Sequence, residues 1–137
     1  MKNPSADCGS SRKSTGTALL PTDKPARRLL DIIENAQAIL RYTKDMDGVA
    51  FEDNTLVSDA VERCLERISE AVAKLGDQAP ILLPTQPWQK IKAFGNVLRH
   101  EYDDILKPRL WDIVQNDLPS LLSASETSLQ KLRDSQK

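Results

Sequence analysis

Apolar residues recur at helical spacing in four stretches of the chain, and that pattern predicts an all-α bundle of four to five helices. In the first, Leu29, Ile32, Ile33, Ala36, Ile39 and Leu40 share one side of a helix that runs to about Lys44. Thr22 or Asp23 can cap its start, and Pro25 suits its first turn. Residues 45–53 read as a polar connection around Gly48. A second stripe follows from about Thr55, with Val57, Ala60, Val61, Cys64, Leu65, Ile68, Val72 and Leu75 inward, and Gly76 ends it. The segment 77–87, "DQAPILLPTQP", carries three prolines and is excluded from a helix interior. Its Ile81, Leu82 and Leu83 need cover from the core or from a second subunit.

A third helix is expected from about Thr85 through His100, with Pro87 in its first turn. The acidic pair Asp103 and Asp104 reads as a turn. A fourth helix starts after Pro108, placing Leu110, Trp111, Val114, Leu118, Leu121 and Leu122 inward, and Pro119 opens a fifth after Asn116 or Asp117. No stretch has the period of a strand, and no internal repeat is visible. Residues 1–21, rich in Ser, Thr and Gly without a period, are expected to form a disordered extension. The helical domain then covers 22–125, and the polar stretch 126–137 is expected to be a weakly ordered tail.

Composition narrows the function classes. The chain has 137 residues, 28% of them charged, with a formal net charge of −1. One domain fits that length. A chain so close to neutral is no bulk polyelectrolyte binder, so any nucleic-acid contact must come from a local patch. No apolar run approaches the roughly 18 residues of a membrane span, and the N-terminus lacks a secretory signal's apolar core. Cys8 and Cys64 form neither a disulfide framework nor a metal site. A reducing cytoplasm is the expected location, with no metal and no cofactor.

The candidate chemistry lies in the third helix, in "GNVLRHEYDD", residues 95–104, which holds the single histidine of the chain. At 100° per residue, Trp88, Ile91, Gly95 and Leu98 share the inward side, while Lys92, Asn96, Arg99 and His100 share another. The second stripe joins two fixed cations, an amide and a titratable imidazole, which suits a small phosphate-binding surface with an acid/base group at its end. The same pattern also describes the solvated face of an amphipathic helix. Tyr102 would point roughly 160° away from His100 in a continuing helix. The two share a site only if the helix ends near His100 or a second subunit closes the gap.

From Arg28 to about Leu122 the chain resembles the HepT-like branch of the HEPN superfamily, small all-α ribonuclease toxins. The resemblance is carried in order by "RLLDIIENAQAILRYT", "ERCLERISEAVAKL", "PWQKIKAFGNVLRHEYDDI" and "LWDIVQNDLPSLL". It implies a helical bundle that forms a homodimer, with the two third-helix regions facing each other across a composite cleft. Family members typically carry an arginine, four variable residues, a histidine, one variable residue and a tyrosine. The histidine corresponds to His100, the tyrosine to Tyr102, and the polar residue that follows the arginine to Asn96. The arginine's place is held by Gly95, so Arg99 or Lys92 would have to grip the phosphate, Arg99 being the better suited because its planar guanidinium binds bidentately.

The resemblance implies metal-independent cleavage of RNA, with His100 as general acid/base. It also implies a partner, an MntA-like nucleotidyltransferase antitoxin that transfers AMP from ATP to the motif tyrosine, here Tyr102. The alternative is a catalytically inactive binding module that keeps the dimer and the nucleotidyltransferase partner but has lost cleavage with the arginine.

Overall fold

The computed structural model of the chain describes residues 23–86, 91, 95, 98 and 103–135, and these are helical with short connections. Helix α1 (Asp23–Tyr42) and helix α3 (Thr55–Leu75) form the central pair and pack along each other. Leu29, Ile32, Ile33, Ala36 and Ile39 of α1 are buried against Val61, Cys64, Leu65, Ile68, Val72 and Leu75 of α3, as the two stripes predict. Leu40, assigned to the first stripe, lies at its edge and is 36% exposed. Asn54 accepts from the Val57 amide at 3.0 Å and so caps α3. Gly76 closes it in a left-handed conformation, φ 56°, that side-chain-bearing residues rarely adopt.

Four features depart from the sequence pattern. The connection 45–53 contains a helix, α2 (Gly48–Asp53), capped by Asp47, which accepts from the Ala50 amide at 2.8 Å. Its anchor is one residue, the fully buried Phe51, and a single aromatic has no period to read. The proline-rich segment turns through a 3₁₀ helix (Gly76–Gln78) and a one-turn helix, α4 (Ala79–Leu82). Pro80 falls in the first turn of α4, where the amide it lacks is not needed. Of the three apolar residues here, Leu83 is fully buried, Leu82 is half-buried and Ile81 is 73% exposed.

Helix α5 (Asp103–Asn116) begins before Pro108 rather than after it, and so takes Asp103 and Asp104 out of the expected turn. Pro108 is exposed, where water can replace the missing ladder bond. Finally, helix α6 (Leu118–Ser135) continues through the stretch expected to fray. Leu118, Leu121, Ser125, Ser128 and Leu129 form its buried face, which packs along α1. Two hydroxyls on that face make it look polar in the sequence. The break between α5 and α6 falls at Asp117, with Pro119 in the first turn of α6, as the proline placement predicts.

The architecture is therefore all-α, with four helices of 14 to 21 residues among the described residues and no strand among them. Among the described residues, no helix is long and apolar enough to cross a membrane. Residues 1–22 and 136–137 lie outside the described residues.

Candidate functional site

Three residues of the third-helix segment are among those the structure describes. Ile91, Gly95 and Leu98 are helical, and their i, i+4, i+7 spacing puts them on one face. Leu98 is 5% exposed, Gly95 is buried, and Ile91 packs half-buried against the core. The expected inward stripe is thus present at three of its four positions; Trp88 lies outside the described residues. Lys92, Asn96, Arg99 and His100, which the spacing assigns to another face, and Tyr102 lie outside the described residues, so their arrangement stays an expectation from the sequence.

The contacts on and around the segment are polar as well as apolar. The Ser69 hydroxyl of α3 donates to the Ile91 carbonyl at 3.4 Å. Before the segment, Gln86 is buried and its amide donates to the Ser120 hydroxyl of α6 at 2.9 Å, a link spanning 34 residues of sequence. After the segment, the Lys107 ammonium of α5 donates to the Glu52 carbonyl at 3.2 Å, at the carbonyl end of α2. Phe51 and Trp111 stack with ring centroids 5.1 Å apart, tilted by 36°, and Gly48 lets α2 approach that indole closely. A Cβ at Gly48 would sit 3.3 Å from the Trp111 Nε1.

Sequence reasoning did not find Ser69, Gln86, Ser120 or Lys107 as supports. Ser69 had a signal, a hydroxyl beside Ile68 on a buried stripe that needs a partner. Gln86 had none, since a proline-rich segment has no face to be out of place on.

Gly95 fixes one point of site chemistry. The position where the HepT-like pattern has an arginine is buried here and carries no side chain. A guanidinium for phosphate must come from another residue or be absent. Elsewhere, Cys64 is a free, buried thiol. Burial pushes its pKa above the ordinary value, and the Arg67 and Arg41 charges pull back against that. No cluster of three or more metal-binding side chains occurs among the described residues.

An all-helical architecture, in a chain whose sequence holds a histidine and a tyrosine at this spacing, fits the class of small HEPN-type proteins. Residues 32–128 match the model of the family described as "Ribonuclease HepT-like", and the chain belongs to that family. A candidate RNase of Methanocaldococcus jannaschii is 36% identical over 93 residues, covering 68% of this chain and 85% of that protein. A second candidate RNase of the same organism is 33% identical over 104 residues, covering 76% and 86%. A protein of Thermococcus cleftensis named probable ribonuclease HepT is 32% identical over 96 residues, covering 68% and 84%. No solved structure matches the chain at comparable significance.

Proposed function

We propose that the chain is a metal-independent endoribonuclease toxin of a HepT/MntA-type toxin–antitoxin pair, acting in the cytoplasm as a homodimer with His100 at the cleft between protomers. The observation that carries this reading is the family match over residues 32–128, which spans "GNVLRHEYDD" with its histidine and tyrosine at the family spacing. The names of the relatives from two archaea support the same activity. His100 takes the proton from a ribose 2′-hydroxyl, whose oxygen attacks the adjacent phosphorus; the bond to the 5′-oxygen breaks, and that oxygen receives a proton. Arg99, with Lys92, holds the phosphate and its developing charge, and Asn96 orients the reacting groups. RNA is the substrate because only RNA supplies the internal nucleophile, and single strands bend most readily into line. Tyr102 is the AMP acceptor through which the antitoxin acts: the added nucleotide fills the cleft and repels RNA phosphates.

The buried Gly95 favours a second reading, an inactive module that dimerises and binds the nucleotidyltransferase but does not cut. Cleavage of a labelled single-stranded RNA in EDTA separates the two, using wild type, His100→Ala and Arg99→Ala, each checked for folding by circular dichroism. The ribonuclease reading expects wild type to cut at an EDTA-independent rate, His100→Ala to lose about 100-fold or more, and Arg99→Ala to fail likewise. Intact RNA with folded wild type, or His100→Ala cutting as fast, leaves the binding module as the function.

A further inference from the structure

A cleft of about 580 Å³ lies where the start of α1 meets the end of α3. Lys24, Pro25 and Arg28 line it from α1, with Lys74, Leu75 and Gln78 from α3 and the 3₁₀ turn. The volume is that of a small-ligand cleft, but the lining is one-sided in charge: three cations, an amide, two apolar residues and no carboxylate. The helix ends do not create that field, because the positive end of α1 and the negative end of α3 oppose each other there. The side chains decide it. Arg28 pairs with Asp31 at 3.4 Å, both about a third exposed, an arrangement that holds weakly in water. Lys24 and Lys74 are exposed and have no carboxylate partner among the described residues.

We propose that this cleft is a second RNA contact, gripping the backbone phosphates of a single strand; the inference rests on the ribonuclease reading above. The cations reach in on exposed side chains from two helices, with no buried polar group converging on one point. That is how a backbone is tracked, whereas a free nucleotide's pocket has buried, convergent polar groups. Pro25 and Leu75 supply the apolar part of the cleft's lining. Helix α3 links the cleft to the motif segment: Ser69, which holds the Ile91 carbonyl, precedes Lys74 by five residues, about 7.5 Å of helix rise. A chain of net charge −1 without the motif arginine gains here the sequence-independent grip its overall charge cannot provide.

The test is fluorescence anisotropy of a labelled single-stranded 12-nucleotide RNA between about 50 and 200 mM salt, with the full chain carrying His100→Ala so that the RNA survives. Lys24→Gln with Lys74→Gln is compared with that parent, and both are checked by thermal melting. Two lost phosphate contacts should lower the log–log salt slope by about 1.4 and weaken binding at low salt by about tenfold or more. Lys74→Gln alone, the fallback if the double variant melts early, should remove about half of that slope. An unchanged slope and affinity, with wild type still cutting the RNA, overturns the cleft while sparing the ribonuclease reading. Wild type that neither binds nor cuts RNA overturns both. If AMP binds and loses its affinity in the double variant while the RNA slope stays, the cleft holds a free nucleotide and the strand contact is refuted.

Discussion

Helices α1 and α3 are held by long stripes, whereas α2 is held by one residue and the segment from Gly76 to Gln86 by a few scattered ones. Along α3, seven buried apolar side chains from Val61 to Leu75 share the burial, so each is one contribution among many. Helix α2 has six residues and one core side chain, Phe51, and the segment that leads into the motif has Ala79, Leu83 and Gln86. A stripe builds the body of a bundle through repetition. A few anchors place a connection, and the one from Gly76 to Gln86 leads into the segment that carries His100.

That contrast predicts how sharply each region responds to truncation. Phe51→Ala should cost about 3–5 kcal/mol, the largest effect, because it empties the space against Trp111 and leaves α2 without any other core contact. Ile68→Ala in the long stripe should cost about 2–5 kcal/mol. Urea unfolding followed by tryptophan fluorescence compares them, and a Phe51→Ala loss under about 1 kcal/mol, well short of that expected for emptying a core site, would break the idea that α2 hangs on one residue. Gly76→Ala comes next, at about 1–3 kcal/mol. An added Cβ meets nothing within 4 Å, so the whole cost is backbone strain at φ 56°. Asn54→Ala should follow at about 1 kcal/mol, from the lost cap of α3, while Asn54→Gly should lose only a few tenths.

The same contrast explains how much of the molecule its sequence disclosed. The boundaries of α3, the stop at Gly76, the first stripe from Leu29 to Ile39 and the break before Pro119 follow from period, caps and prolines, which act locally. Helix α2 escaped because Phe51 meets its partner Trp111 across 60 residues of chain, and no local rule contains that distance. The length of α6 escaped because Ser125 and Ser128 are small enough to be packed, and small hydroxyls read as surface. At the site, spacing alone put Gly95 and Leu98 on the buried side of the third helix. The cleft of Lys24, Arg28 and Lys74 had no such signal, since it joins residues about 50 apart that become neighbours only when α1 lies along α3.

Cys64 offers the smallest effect and a direct probe of the stripe itself. Its thiol is buried on α3, and desolvation is the leading cause of its raised pKa. Below the ordinary thiol range both folded and unfolded chains keep the proton, so Cys64 adds no pH dependence there. As pH rises through that range the unfolded thiol ionises first and binds fewer protons than the folded one, so stability must fall. Cys64→Ser would not be a clean control, because it buries a stronger hydrogen-bonding group; Cys64→Ala removes the titration at the cost of a small cavity. Urea midpoints measured from pH 7 to 10 should decline more steeply in the wild type than in Cys64→Ala. An aromatic disulfide reagent at neutral pH should label Cys64 only as fast as α3 opens, and labelling at the rate of an exposed thiol would show that the stripe breathes as freely as the connections it supports.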